Sequence, residues 1–382
     1  MILKGLSFAW FPIPTIILFY QHYGLSIEQS IFLKTVLSLS IFLLEIPSGY
    51  IADRWGRKFC LVSGGAIWVA SWSIYCTQET FNWFIFAETL TGIAGSLISG
   101  ADTALTYDTL LELDRAQDYR KIEGKLIAIA GISEAICGLI GAATAQYNIV
   151  YPFYLQTICL LFYCLIATRL IEPGCSENDR VGERQQQHLW SIIREFFFQN
   201  PSIRWLIFLS ATFSVATFLI VWLSQAYLSN YGVPMFMFGI IWVFLHLVMS
   251  LASITANNVE QKLGLRKALL FSVILLGISF IFLGIIDQVL GIIFVAAIYF
   301  VRGLVNPLLS DAINQLVPSR TRATVFSMRS FVFRLGFAII GSFSGWLADK
   351  QSLNLSLAVM GTIFLISGVF CWWNWTKLKP IN

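Results

Sequence analysis

Long apolar runs recur at nearly regular intervals along all 382 residues of the chain. A helix of about 20 predominantly apolar residues is long enough to cross a bilayer. Twelve segments meet that requirement, at residues 3–22, 28–51, 58–77, 82–110, 122–145, 152–171, 203–229, 235–256, 268–286, 290–316, 322–346 and 354–376. Lipid offers no partner to backbone polar groups, so such segments form helices. The sequence therefore predicts an all-α integral membrane protein with twelve transmembrane helices.

Composition agrees with a membrane protein and excludes several functional classes. Charged residues make up 12% of the chain, about half of the roughly 25% found in soluble domains. The net charge of +4 comes without a basic aromatic patch, so we expect no nucleic-acid partner. We find no ATP-binding motif and no catalytic nucleophile, and therefore predict no enzyme and no cofactor. The seven cysteines form no C-x-x-C pair and the three histidines lie far apart, so we expect no metal site.

The loops between these segments alternate in charge. One set carries most of the Lys and Arg residues and includes both termini, whereas the opposite set carries Lys350 alone. An excess of Lys and Arg marks the cytoplasmic side of a membrane protein. Both termini are therefore predicted to be cytoplasmic, in a multi-pass protein of the cell (inner or plasma) membrane.

A polar stretch at residues 172–200 divides the chain near its midpoint. Its first half has the composition of a linker, and its second half, HLWSIIREFFF, is typical of an interfacial helix. We predict an N-terminal six-helix bundle over 1–171, a cytoplasmic linker with an interfacial helix over 172–202, and a C-terminal six-helix bundle over 203–382. Repeated halves of this kind are common in secondary transporters.

The two halves share a degraded copy of one turn. The run NNVEQKLGLRK at 257–267 follows the eighth segment as GYIADRWGRK follows the second, 208 positions earlier. At that displacement Gly264 falls on Gly56 and Arg266 on Lys58. This match predicts that the two bundles are pseudo-symmetric.

The turn after the second segment carries a specific motif, G-x-x-x-D-R-x-G-R-K, whose residues are Gly49, Asp53, Arg54, Gly56, Arg57 and Lys58. It resembles the signature loop of the major facilitator superfamily. Four further stretches, E-I-P-S-G and residues 99–110, 119–124 and 318–327, are similar to a bacterial branch of mostly uncharacterised permeases and exporters. The resemblance implies alternating access around a central cavity bounded by segments one, four, seven and ten. A protein of two bundles already encloses its own site, so we expect a monomer.

The same motif has a physical interpretation. Gly56 permits a tight turn, and Gly49 lets another helix approach closely. By resemblance, Asp53 faces the positive N-terminus of the eleventh helix near Thr321, while Arg54, Arg57 and Lys58 pair with cytoplasmic acids. We predict a latch that closes the cytoplasmic side of the outward-open state. The alternative is a topology anchor with no role in gating.

Charged side chains inside the bilayer are costly and need a reason. In the first half we take Glu134, with Asp102 or Glu45, as the candidates for proton uptake, whereas Lys34 is expected to be shallow and to snorkel outward. In the second half Arg302 and Arg334 keep their protons and fit counter-charges for a substrate anion or for those acids. Static ion pairing that fixes helix packing is the alternative for each of these residues.

The chain also departs from the patterns of the family. Glu88 stands ahead of Gly92, where many members carry Arg in R-x-x-x-G. The fifth segment has three glycines without the proline that drug antiporters often carry, and these glycines fit tight helix contacts: Gly131, Gly138 and Gly141. Proton coupling assigned to that Arg therefore cannot be carried over to this chain, and the missing proline weakens the interpretation as a drug antiporter.

Aromatic side chains make up much of the predicted cavity. Pro12 and Pro14 are expected to kink the first segment and Pro307 the tenth. The polar and aromatic groups that we expect to face substrate are Tyr20, Trp222, Gln225 and Asn306. Their character favours a small amphipathic substrate over a sugar.

Three functions follow from these observations. The leading hypothesis is a secondary active transporter that exports a small amphipathic molecule, driven by the proton gradient and not by ATP. The second is an importer or facilitator of a small organic anion, based on Arg302 and Arg334. The third, from another class, is a membrane receptor or scaffold that carries out no transport.

Overall fold

The computed structural model describes residues 1–172, 200–286, 288–318 and 321–378, apart from the side chains of Ile46, Asp53, Ala116, Arg120 and Ala323. These described residues form α-helices and short 3-10 turns, and no strand occurs among them. The helices are α1 (Ile2–Ser7), α2 (Ile16–His22), α3 (Ile27–Trp55), α4 (Arg57–Thr77), α5 (Phe81–Glu112), α6 (Tyr119–Ala145), α7 (Tyr151–Ala167), α8 (Pro201–Asn230), α9 (Met235–Leu263), α10 (Leu265–Ile285), α11 (Ile292–Leu316), α12 (Arg322–Lys350) and α13 (Leu353–Thr376).

Ten of these helices are long and apolar enough to cross a membrane, namely α3 to α6 and α8 to α13. Each overlaps one of the predicted segments, so the all-α membrane class is confirmed. The sixth predicted segment is the shorter apolar helix α7, and the first is interrupted. The number of twelve spans and the orientation of the termini stay predictions.

The interruption in the first segment lies around Pro12 and Pro14. The chain leaves α1 at Ser7, makes a 3-10 turn over Ile13–Thr15, and enters α2 at Ile16. Proline has no N–H and restricts the residue before it, so two prolines separated by a single residue prevent a continuous helix. We predicted a kink, and the structure has a break. In α11, by contrast, Pro307 lies inside a helix that continues to Leu316.

The interrupted backbone is satisfied by neighbouring helices. The N–H of Phe11 donates to Oε1 of Gln156 on α7 at 3.1 Å. Helix α6 approaches the same point so closely that a Cβ at Gly141 would overlap the carbonyl group of Phe11, and a Cβ at Gly138 would lie 3.1 Å from Cγ of Pro14. Two of the three predicted glycine contacts are therefore made. At Gly131 no described atom lies within 4 Å of a Cβ position.

The internal repeat extends well beyond the turn from which it was predicted. Helices α3 and α9 have 29 residues each, α4 and α10 have 21 each, and both pairs are displaced by 208 positions. A single glycine joins each pair, Gly56 at φ +94° and Gly264 at φ +76°. The turns before them repeat as well, with Gly24 and Gly232 at φ +79° and +66°. A left-handed φ favours glycine, so the repeated glycines fix the repeated turns.

The chain groups into two compact units. Unit 1 contains residues 1–25, 33–182 and 234–243, and unit 2 contains residues 26–32, 183–233 and 244–382. In unit 1, α4 packs against α5 and α7. In unit 2, α10 packs against α13 and α11, and α8 packs against α12 and α13. The predicted linker at 172–202 and its interfacial helix fall almost wholly outside the described residues, so the predicted domain boundaries stay predictions.

Candidate functional site

Unit 1 contains a buried ion pair between Lys34 of α3 and Glu88 of α5. The Lys34 Nζ lies 2.5 Å from Oε1 of Glu88, and each residue is only 2% exposed. Two tyrosine hydroxyls donate to the same carboxylate oxygen, Tyr20 at 2.6 Å and Tyr75 at 2.9 Å. Lys34 also donates to the Tyr20 hydroxyl at 3.2 Å. We call these four residues the buried charge cluster.

Helix geometry explains why these side chains meet. Lys34 and Glu88 are each seven residues beyond the first residue of their helix, Ile27 and Phe81, which places both about 10 Å from the same end of the bundle. Tyr20 and Tyr75 lie two residues before the ends of α2 and α4 and approach from that end. The prediction that Lys34 snorkels outward is wrong, because its side chain turns inward to the carboxylate of Glu88.

Aromatic rings enclose the cluster. Phe84 stacks on Tyr75 with ring centroids 5.4 Å apart and lies 5.5 Å from the ring of Tyr20. Phe153 lies 5.3 Å from Tyr75. In such surroundings an ion pair has a large desolvation cost. Removing one of the two residues would leave the other charge buried without compensation, which is strongly destabilising. The three donors to one oxygen of Glu88 are what keep a charge in this position. We predicted Tyr20 to face substrate, whereas it is fully buried within this cluster.

We define residues 49–58 as the signature turn. Glu172 contacts this turn at Gly56. The carboxylate of Glu172 accepts from the backbone N–H groups of Arg57 at 2.7 Å and Lys58 at 2.6 Å, the first two residues of α4. It therefore caps the helix and complements its positive end. A Cβ at Gly56 would lie 3.1 Å from this carboxyl group. Glycine is needed here for both its φ and its lack of a side chain.

The side chains of the signature turn have different surroundings. The Arg57 guanidinium forms an ion pair with Asp108 of α5, as the predicted pairing with an acid requires. Arg54 is exposed and donates to the Tyr50 hydroxyl at 3.1 Å. No described atom lies within 4 Å of a Cβ position at Gly49, so the expected close approach of a helix is not made there. The Asp53 side chain is outside the described part of the structure, and its contact with α12 stays a prediction.

The three proton-uptake candidates lie in different environments. Asp102 of α5 pairs with Lys4 of α1 at 2.5 Å, toward the end of unit 1 that carries the signature turn. Glu45 is exposed on α3. Glu134 is half-buried, close to the middle of the candidate span Lys121–Ala145. Of the three, Glu134 alone combines a central position in a span with partial exposure.

In unit 2 the deep cations lie beside aromatic rings. Arg302 of α11 is half-buried, with its guanidinium 6.0 Å from the Tyr299 ring. Arg334 of α12 is half-buried, 5.9 Å from the Phe333 ring, and donates to Oγ of Ser330 at 3.3 Å. Sequence reasoning missed Arg329, which lies in the same span and donates to Oγ of Ser310 on α11 at 3.1 Å. Its position in the same apolar segment, five residues before Arg334, could have identified it as another deep cation.

The other predicted substrate contacts are not equally accessible. Trp222 and Gln225 of α8 are each 4% exposed, and the Gln225 amide donates to the carbonyl of Val221 at 3.2 Å. Asn306 of α11 is exposed. Among the described residues, no group of three or more His, Cys, Asp or Glu side chains is placed to hold a metal ion.

The comparison with protein families decides the class. The family model described as Major Facilitator Superfamily matches residues 5–303 and 247–381, which together cover almost the whole chain. The chain belongs to the Major Facilitator Superfamily. It is therefore a multi-pass membrane protein of a transporter family and not an enzyme.

Individual relatives of the superfamily agree with this membership. The chain is 25% identical to the uncharacterized MFS-type transporter YxaM of Bacillus subtilis, over 95% of this chain and 91% of the relative. It is 21% identical to the multidrug resistance protein MdtH of Yersinia enterocolitica, over 88% and 82%. The crystal structure of the nucleoside transporter NupG (D323A mutant) superposes with a TM-score of 0.78 at 14% identity, covering 98% of both chains. The predicted resemblance to a bacterial branch of uncharacterised superfamily members is confirmed.

Proposed function

We propose that the protein is a secondary active transporter that exports a small amphipathic molecule by alternating access, driven by protons entering through Glu134. The observation that carries this proposal is a half-buried carboxylate near the centre of a membrane-spanning helix. A carboxylate there gains or loses charge as its solvent exposure changes. The likeness to MdtH, described as a multidrug resistance protein, supports export of an amphipathic compound.

The contacts of three other acids favour other roles for them. Asp102 and Asp108 already neutralise Lys4 and Arg57 at the end that carries the signature turn, so they fit the gate better than proton uptake. Glu88 is sealed among three donors and aromatic rings, so it fits a fixed charge. We place both termini and the signature turn in the cytoplasm, with the monomer in the plasma membrane.

The test is proton movement in proteoliposomes that contain the purified protein and an internal pH dye. Lipophilic cations, lipophilic anions and neutral amphiphiles are added in turn to wild type and Glu134→Gln. The matched control is Glu123→Gln, because Glu123 is also half-buried, on the same helix and eleven residues earlier, which is close to the same face. We expect a substrate-dependent pH change that Glu134→Gln abolishes and Glu123→Gln retains.

Each other outcome of this test has a definite meaning. Coupled flux that survives Glu134→Gln unchanged would contradict the role of that carboxylate. Binding without flux in wild type would contradict transport and favour the receptor or scaffold hypothesis.

A second candidate function is supported by the deep arginines. Arg302 and Arg334 are both half-buried cations beside aromatic rings, a setting that suits a small organic anion with an apolar body. In the same proteoliposomes, flux of lipophilic anions without a pH change, lost in Arg302→Gln, would favour this import or facilitation over proton-coupled export.

A further inference from the structure

The last three turns of α12 carry a stripe of three residues at four-residue spacing, Gly341, Gly345 and Asp349. This spacing places them on one face of the helix. The stripe packs against the first turn of α3, since a Cβ at Gly345 would lie 2.8 Å from Cα of Glu28 and a Cβ at Gly341 3.4 Å from Cγ2 of Ile31. Residues 26–32 belong to unit 2 together with α12.

The stripe ends in a carboxylate that caps α3. Oδ1 of Asp349 accepts from the N–H of Ile27 at 3.0 Å, and Oδ2 accepts from the N–H of Glu28 at 2.8 Å. These are the first two backbone donors of α3, which have no acceptor within their own helix. A negative charge at this place is also favoured by the helix dipole. The contact is therefore a two-oxygen cap supplied from 321 residues away.

The rest of this helix start is satisfied locally. Oγ of Ser26 accepts from the N–H of Gln29 at 3.2 Å, and Oε1 of Gln29 accepts from the N–H of Ser26 at 3.1 Å. This reciprocal pair is a capping box. It keeps α3 properly started whether or not Asp349 is present. The contribution of Asp349 is thus to attach α3 to α12, and the two glycines let the helices come close enough for it.

We propose that Asp349 is a reversible latch that holds the start of α3 to the end of α12 in one state of the transport cycle and releases it in the other. This inference rests on the proposed alternating access. The signature turn at the other end of α3 is predicted to close the cytoplasmic side in the outward-open state. The Asp349 contact and the signature turn then engage in alternate states.

The energetic contrast within the molecule agrees with a releasable contact. The Asp349 contact is exposed to solvent, so water replaces the carboxylate when the helices separate. Loss of a helix cap of this kind changes an equilibrium by about threefold to thirtyfold, which is small enough to be reversed during a cycle. The Lys34–Glu88 pair, by contrast, is sealed from water.

Hydrogen–deuterium exchange of the full-length protein in lipid nanodiscs tests the latch on its own backbone donors. We expect Asp349→Ala to speed exchange in residues 26–33 by about threefold to thirtyfold. As the opposite state gains population, we expect exchange in the signature turn, residues 49–58, to slow. The matched control is Lys350→Gln, which changes the neighbouring charge but not the cap and is expected to leave both regions unchanged.

The readout at the signature turn separates a latch from a local cap. Faster exchange in residues 26–33 alone would overturn the latch, because a static cap has no effect at the far end. Unchanged exchange in both regions would show that the contact is absent in the membrane. If Asp349→Ala does not fold, Asp349→Asn, which keeps one oxygen acceptor, must show the same opposite changes at smaller size. No substrate is needed, so a failed latch is distinguishable from a failed transport assay.

Discussion

At the scale of single residues, unit 1 contains both fixed and releasable charges. Lys34 donates to Glu88, which also accepts from two tyrosine hydroxyls, and both charged residues are only 2% exposed. Asp102 and Asp108 are partly exposed and each faces one cation. Because screening by water weakens the exposed pairs and not the buried one, the buried charge cluster is expected to determine stability and the exposed pairs to tune gating.

The first prediction concerns Lys34. Lys34→Met leaves Glu88 charged, buried and without its cation, so the free energy of unfolding should fall by about 3–5 kcal/mol. The measurement is SDS-induced unfolding of purified protein in mixed micelles. The double variant Lys34→Met/Glu88→Gln removes both charges and is expected to recover much of the loss.

The control for this cycle is Lys262→Met, which removes an exposed lysine of α9 and should change stability little. If the effects of Lys34→Met and Glu88→Gln simply added in the double variant, the two residues would not be coupled and the ion pair would be absent in the membrane.

At the scale of helices, the glycines of α6 determine where a neighbouring segment can approach it closely. Helix α6 carries Gly131, Gly138 and Gly141, yet only the last two meet the interrupted first segment. At Gly141 the neighbour is the carbonyl of Phe11, a backbone group that has little freedom to move aside. The break at Pro12 and Pro14 and the glycine opposite it thus form one feature, built from two separate parts of the chain.

The second prediction compares two glycines of the same helix. Gly141→Ala should destabilise the protein by about 1–3 kcal/mol or more, because its Cβ has no space. Gly131→Ala faces open space and should stabilise α6 by about 0.5–1 kcal/mol. Thermal unfolding of both variants in detergent checks the pair, and equal shifts in Tm would contradict the described contact.

The third prediction compares the two repeated turns. Gly56→Ala and Gly264→Ala both place an alanine at a positive φ, which costs about 1–2 kcal/mol. At Gly56 the new Cβ also meets the Glu172 carboxyl group, whereas at Gly264 no described atom lies within 4 Å. Gly56→Ala should therefore be the more destabilising in thermal unfolding, and Glu172→Ala in the same chain should reduce the difference. A larger loss at Gly264 would argue against the Glu172 cap.

The features that could be predicted from the sequence are those determined by neighbouring residues in the chain. Helix positions were predictable because the length of an apolar run sets them, and Gly56 was predictable because one residue had to reverse the chain. The partners of Lys34 and Asp349 were not, since the helix face that meets a neighbour is decided by tertiary packing between residues 54 and more than 300 positions apart. The sequence indicates that Lys34 and Glu88 lie at the same depth, but it does not indicate that their side chains point toward each other.

At the scale of the whole molecule, the two proposed latches lie at opposite ends of α3. Asp349 contacts the start of α3, and Asp53 lies two residues before the end of the same helix. If the two acids engage in alternate states, weakening either one must favour the other. This reciprocity is the property that separates paired latches from two independent caps.

The fourth prediction follows from this reciprocity. Asp53→Asn should speed exchange in the signature turn and slow it in residues 26–33, the reverse of the pattern expected for Asp349→Ala. The double variant should return the balance toward that of wild type. Hydrogen–deuterium exchange in nanodiscs measures all three proteins together, and changes of the same sign in both regions for Asp53→Asn would contradict the pairing.

The one-residue turns at Gly56 and Gly264 also restrict how the length of this chain can change. Each helix pair is joined by a single glycine, so one inserted or deleted residue would rotate the following helix by about 100° and turn its buried face outward. Insertions and deletions at these two places should therefore be lethal to folding, whereas the connection at residues 146–150 has room for them. An epitope tag or a fused domain placed inside the chain belongs in that connection.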